Sequence, residues 1–180
     1  MQKDIDIIIY GATGFTGQLC VKYFQSLNTD VNWAIAGRDQ DKLQKVASDN
    51  SVDVEMLIAD SDDEVALDIL TSRAKVILST TGPFHRYGSK LVASCVKNSA
   101  NYVDITGENF WVKGLIAKHH EEASAKGIRI IPSCGYDSIP SDLGVFYSAK
   151  ALNKPIKRIE SFHSWEGGAS GGTLETMFSM

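Results

Sequence analysis

Apolar residues fall in short β-branched runs that alternate with longer stretches in which they recur at helical spacing. Ile5, Ile7, Ile8 and Ile9 form the first run, nearly continuous, as expected of a parallel strand covered on both faces. Leu19, Cys20, Tyr23, Phe24 and Leu27 follow with a helical period. Further strands are predicted over Val31–Gly37, Val54–Ala59, Lys75–Thr80, Asn101–Ile105 and Ile128–Pro132. Leu43, Val46 and Ala47 predict a short helix, and Asp62–Thr71 another with an acidic first turn. Leu91, Val92, Cys95 and Val96 mark a fourth helix, and Phe110–Lys126 a fifth, with Gly127 as its stop. Pro140 opens a sixth helix running to about Leu152.

This alternation predicts an α/β fold with a doubly wound parallel sheet, in the order 3-2-1-4-5-6. Right-handed crossovers bring the C-terminal ends of all the strands to one edge, where the chemistry is expected. Residues 1–152 form this domain. Beyond Asn153 the pattern changes: Ile156–Trp165 reads as a strand, Glu166–Thr173 carries four glycines, and Leu174–Met177 looks helical. Residues 153–180 are therefore expected to be the truncated start of a second, substrate-shaping domain.

The turn after the first strand sharpens the prediction. Gly11, Gly14 and Gly17 stand between strand and helix with GxxGxxG spacing, in YGATGFTG. Gly11 suits a tight turn, Gly14 lets backbone approach a pyrophosphate, and Gly17 lets the helix lie close to the strand. Thr13, Phe15 and Thr16 complete a loop at a helix N-terminus, where the dipole favours phosphate. This is a candidate NAD(P) site. Arg38 follows the second strand about 20 residues on, where an acidic residue binds ribose hydroxyls and an arginine pairs with a 2′-phosphate. NADP is thus favoured over NAD, although Asp39 next to it can take the acidic role. Asp60, after the third strand, either bonds the adenine amino group or caps the following helix.

Ser79-Thr80-Thr81-Gly82-Pro83-Phe84 lies across the switch point, so Thr80, Thr81, Gly82 and Pro83 are candidates for the nicotinamide half. His85 is the histidine on that edge, and His119 and His120 read as surface. Asp104, Thr106 and Glu108 alternate at the fifth strand's end. They either supply a carboxyl of raised pKa or fix the turn into the next helix. Tyr136 and Asp137, in CGYDS, leave the sixth strand near the expected nicotinamide position. His85, Glu108, Tyr136 and Asp137 are the catalytic candidates.

Composition removes other classes. At 180 residues, 43% apolar and a net charge of −4, the chain has a core and no basic patch for nucleic acid. Its three cysteines are widely spaced and read as reduced cytosolic thiols, with no metal-ligand spacing among them. No leader and no membrane-length apolar run is seen, which predicts a cytoplasmic protein. The short-chain dehydrogenase Tyr/Lys pair, a nucleophile elbow and a P-loop lysine are all missing.

Together YGATGFTG, IAGRD, STTGPFHRYG, YVDITGE and IPSCGYDSIPSDLG resemble the saccharopine dehydrogenase-like oxidoreductases. Ser170–Thr173 resembles the start of that family's second domain. The resemblance implies an N-terminal Rossmann domain that binds a nicotinamide cofactor, hydride transfer from NADPH, and a small or lipid-type substrate. Trans-acting enoyl reductases belong to the family, so enoyl reduction is one implied reaction. Association with membrane surfaces is implied for some members, and self-association is left open. GATGFTG also resembles NmrA-like redox sensors, which implies a competing, catalytically silent binding module.

Overall fold

The structure, a computed structural model, describes residues 3–27, 30–152, 154–164, 166–168 and 171–179. Its elements in order are β1 (Ile5–Tyr10), α1 (Phe15–Ser26), β2 (Trp33–Gly37), α2 (Gln40–Asp49), β3 (Glu55–Ile58) and α3 (Glu64–Arg73). Then come β4 (Ala74–Ser79), α4 (Phe84–Lys97), β5 (Asn101–Asp104), α5 (Asn109–Ala125), β6 (Ile130–Ile131), α6 (Ile139–Leu152) and α7 (Gly171–Ser179). The six strands form one sheet, β3-β2-β1-β4-β5-β6, and every pair is parallel. That is the predicted doubly wound order.

The register explains the isoleucine run. Ile8 lies opposite Ala34 and Ile77, and Ile9 opposite Ile35 and Leu78. Successive residues face opposite sides of the sheet. Ile8 joins a core with Leu67, Leu70, Leu91, Val92 and Tyr102, whereas Ile9 packs with Val21, Ile35, Leu43 and Val46. So α1 and α2 cover one face, α3, α4 and α5 the other. A strand buried twice needs apolar residues at every position.

Local departures from expectation have physical causes. In α1 the sheet side is Gly17 and Val21, flanked by Cys20 and Phe24, while Leu19, Tyr23 and Leu27 turn outward. Only one stripe of a helix can meet the sheet, and the close contact at Gly17 selects it. His119 is buried, not on the surface, because Trp111, Leu115, His119 and Ala123 recur at every fourth residue on the inner side of α5. Burial pushes its imidazole pKa down. β6 is shorter than Ile128–Pro132 because it is an edge strand paired only with β5, through Tyr102↔Ile130 and Val103↔Ile131. No strand forms over 156–164, where no neighbouring ladder accepts its backbone groups, and Trp165 lies outside the described residues. α6 has no buried residue: Leu143, Val145, Phe146, Tyr147 and Leu152 are all exposed.

Candidate functional site

The strand ends meet the glycine turn. Gly11 has φ +85°, and a Cβ on it would stand 2.2 Å from Thr81 Oγ1 and 3.0 Å from Thr80 Oγ1. A Cβ on Gly17 would fall 2.2 Å from the Gly11 carbonyl oxygen and 2.8 Å from Ala12 Cα. Both glycines are therefore required by the protein's own atoms. Gly14 differs. Its φ is an ordinary −74°, and the nearest atom to a Cβ there is the Gly11 carbonyl oxygen at 3.4 Å. It stands at the start of α1, whose first N–H groups have no acceptor within the helix. The Thr80 hydroxyl donates to the carbonyls of Tyr10 (3.2 Å) and Gly11 (3.1 Å), tying the β4 exit to the turn.

These loops enclose a cavity of about 430 Å³. Gly11, Thr13, Gly14, Phe15, Thr16, Arg38, Thr80, Thr81 and Gly82, all candidates from the sequence, line it, whereas Gly17 does not. Thr81 Oγ1 is buried there and is the orphan side-chain oxygen among the described residues. Arg38 is exposed along the wall, whereas the Asp39 carboxylate caps α2 by accepting from the Lys42 N–H at 3.0 Å and pairs with Lys42 Nζ at 3.3 Å. The acidic alternative to Arg38 is thus engaged elsewhere.

Asp60 does not line the cavity; Ser61 does. Nor does Asp60 cap α3. Its Oδ1 accepts from the Asp62 N–H at 2.9 Å, and the cap is Asp63, which accepts from Val65 and Ala66. Three aspartates stand before this helix, and the backbone turn decides which one reaches the free N–H groups. Pro83 lies outside the wall, at the N-cap of α4. Sequence reading also missed Tyr10 and Tyr87, both of which line the cavity. Tyr10 donates to the Ala59 carbonyl at 3.3 Å, and burial pushes its phenol pKa up.

A second cavity of about 340 Å³ adjoins the first, and Thr16, Thr80, Gly82 and Gly172 belong to both walls. Phe84, Ile105, Gly107, Glu108 and Asp137 extend it toward β5 and the β6 exit. Glu108 has no exposed surface. Its carboxylate accepts from the Phe84 N–H and the His85 N–H, each at 2.8 Å, and lies 2.7 Å from His85 Nδ1. An acceptor carboxylate puts the proton on Nδ1 and leaves Nε2 outward of the pair. His85 therefore sits in the first turn of α4, not in a free loop, and its ring packs 5.6 Å from that of Phe110. The Glu108 side chain caps α4 and not the following helix, where it makes no side-chain cap.

The other carboxyls divide. Asp104 is buried, accepts from Tyr102 Oη at 2.8 Å and from the Thr106 and Ser133 N–H groups at 2.9 Å, and lines neither cavity. Burial holds its pKa above the ordinary value despite those bonds. Asp137 lies in the second wall, beside Gly107 and Gly135, where added Cβ atoms would meet its oxygens at 3.5 and 2.8 Å. Tyr136 is 68% exposed and lines neither cavity. No group of metal-ligating side chains occurs among the described residues, and no described helix is long and apolar enough to cross a membrane. Cys20, Cys95 and Cys134 are free thiols.

Residues 7–131 match the family described as the saccharopine dehydrogenase NADP binding domain. The chain belongs to that family. It is 39% identical over 148 residues to a trans-acting enoyl reductase of Mycobacterium leprae, covering 81% of this chain and 35% of the relative. A lipid droplet localized protein of Caenorhabditis elegans is 35% identical over 189 residues, with 96% and 44% covered. A saccharopine dehydrogenase-like oxidoreductase of Homo sapiens is 34% identical over 185 residues, with 94% and 43% covered. The chain spans less than half the length of each. Among solved structures, the apo histidine-tagged saccharopine dehydrogenase (L-Glu forming) of Saccharomyces cerevisiae superimposes with a TM-score of 0.67 at 19% identity, over 83% of this chain and 31% of that one. That likeness shows the Rossmann-like fold of this NADP binding domain.

Proposed function

We propose that the two joined cavities are an NADP(H) site and that the chain serves an oxidoreductase acting on a small or lipid-type substrate. Gly14 carries the reading. The protein's own packing demands glycine at 11 and 17 but not at 14, so the middle glycine of the fingerprint answers to something outside the protein. A pyrophosphate over the start of α1 is what such a position accommodates.

The other wall residues fit the same group. Arg38 offers a planar cation for a 2′-phosphate, with Asp39 already committed to its helix. The buried Thr81 hydroxyl lacks a partner inside the protein, as expected of a group that bonds a ligand. Thr80 and Gly82, shared by both cavities, would then flank the nicotinamide half toward Glu108 and Asp137, with Thr81 in the larger cavity. When bound, NADPH supplies the hydride.

The chain's own groups handle the proton. Both Glu108 oxygens are occupied by N–H donors, so Glu108 is a positioning residue that orients His85 and the α4 start. Asp137, in the wall of the smaller cavity, is the candidate to deliver a proton, whereas His85 lines neither cavity and donates from Nε2 only as the imidazolium. The names of the relatives support enoyl reduction and a lipid setting as the finer reading. We further propose that residues 153–180 open a substrate domain, because α6 carries Leu143, Val145, Phe146, Tyr147 and Leu152 yet buries none of them.

The test is calorimetric titration of the chain with NADPH and NADH, followed by an assay of NADPH oxidation with enoyl and carbonyl lipid substrates. Binding with preference for NADPH supports the cofactor assignment, and equal affinities sink it. The two-domain reading expects binding without turnover by residues 1–180 alone. Turnover by that chain would place every reacting group within residues 1–180 and overturn the two-domain reading. Bound cofactor that no acceptor oxidises, even in an extended chain, supports a silent sensing module instead.

A further inference from the structure

Helix α7 lies along the cleft. Gly172 is in both walls, Thr173 and Thr176 are in the smaller cavity, and Glu175 is in the larger. Apart from Arg38 and Glu175, the larger wall is built of glycines, hydroxyl residues and aromatics. Its two charges therefore have opposite preferences. Arg38 favours an anion, and Glu175 opposes one.

Glu175 also has a counter-charge placed outside the cavity. Its Oε1 stands 3.9 Å from Arg86 Nη1 in the first turn of α4, and Arg86 does not line either wall. Both side chains are about half exposed, at 54% for Glu175 and 49% for Arg86. A pair so long and so wet holds the carboxylate only weakly. Glu175 thus brings a negative charge to the wall of the cavity assigned to the cofactor, while its partner Arg86 is in neither wall.

We infer that Glu175 is a specificity-determining residue of this cleft: a carboxylate on α7, backed by Arg86, that opposes phosphate-bearing ligands in proportion to their charge. The inference rests on the reading of the cleft as a dinucleotide site. NADPH carries a 2′-phosphate that NADH lacks, so Glu175 weakens NADPH more than NADH and offsets part of the selectivity that Arg38 provides. Loss of Arg86 leaves the carboxylate unscreened and strengthens its effect.

The experiment is titration of NADPH and NADH into the wild-type chain, Glu175→Gln, Glu175→Ala and Arg86→Gln, at low and high salt. Glu160→Gln, a change of the same charge at an exposed residue that pairs with Arg158 and lines neither cavity, controls for net charge. Both Glu175 variants are expected to bind NADPH about three- to tenfold more tightly at low salt and NADH by a smaller factor, the gain fading at high salt. Arg86→Gln is expected to weaken NADPH, and Glu160→Gln to change neither ligand. Unchanged NADPH affinity in the Glu175 variants overturns the inference, as does weaker binding, which would make the carboxylate a hydrogen-bond acceptor for the cofactor. A wild-type chain that binds neither nucleotide overturns the dinucleotide reading itself, and this inference with it. That result is distinct from equal, measurable affinities in wild type and variant.

Discussion

The Glu108 carboxylate, with no exposed surface, lies 2.7 Å from His85 Nδ1 while accepting from the backbone N–H of the same histidine at 2.8 Å. With the Phe84 N–H also bound at 2.8 Å, it joins the β5 exit to the first turn of α4. One carboxylate thus fixes both a helix start and an imidazole, although His85 itself lines neither cavity. Glu108→Gln keeps the shape but turns an amide N–H₂ toward donors. The expected cost is about 2–4 kcal/mol, from lost charge-assisted bonds and unpaired buried donors. His85→Ala leaves both backbone bonds in place and is expected to cost about 1–2 kcal/mol. Urea unfolding of the two variants checks the order, and equal losses would mean that the backbone bonds are not the main anchor.

Arg38 is expected to make the chain prefer NADPH over NADH. Arg38→Ala should narrow the preference by about 1–3 kcal/mol, the range for charged hydrogen bonds, with little change in thermal stability because the side chain is exposed. Calorimetric titration of both nucleotides into both proteins measures it. A preference that survives the substitution would move the 2′-phosphate contact away from β2.

The fold was legible because its signals are local and repeated. The β-branched run Ile5–Ile9, the glycine spacing and the alternation of periods each point to a parallel sheet, and most cavity-lining residues follow from knowing which loops share an edge. What escaped depends on three-dimensional approach. His85 and Glu108 are 23 residues apart, and no periodicity joins a helix start to a strand end. Asp60, Asp62 and Asp63 all look like caps, and backbone direction at one turn gives the role to Asp63. His119 was visible in principle at fourth-residue spacing with Trp111, Leu115 and Ala123, but charged neighbours on both sides masked it. Glu175 was not legible because its place in the cleft depends on where α7 lies, which the helical pattern of Leu174–Met177 does not fix.

Asp104 provides a pH test. Burial raises its pKa above the ordinary 3.8, so the folded chain binds its proton more tightly than the unfolded chain. The stability this contributes is present in full below that ordinary value and is lost as pH rises through the folded pKa. Asp104→Asn keeps an oxygen for the Thr106 and Ser133 N–H groups and turns its N–H₂ to the Tyr102 hydroxyl, which can accept. The variant is expected to lack this loss. Its stability relative to wild type should therefore rise with pH above about 4, then level off. Chemical denaturation at a series of pH values gives the difference curve, and a flat or falling difference would contradict a raised pKa.

Gly14 and Gly17 are expected to respond oppositely to added side chains. At Gly17 even alanine places a Cβ 2.2 Å from the Gly11 carbonyl oxygen and 2.8 Å from Ala12 Cα, so α1 must move off the turn. Gly17→Ala should cost more than about 2 kcal/mol of stability, as overpacking against backbone does. At Gly14 the nearest atom is 3.4 Å away and φ is −74°, so the folded chain can hold a larger residue. Gly14→Val should shift the cofactor-free thermal midpoint little, yet abolish NADPH binding, because the branched side chain fills the space kept for the pyrophosphate. Thermal unfolding and NADPH titration on the same two samples separate the effects. If Gly14→Val unfolds early, its glycine is structural; if it binds as the wild type does, the phosphates lie elsewhere and the assignment of the larger cavity fails.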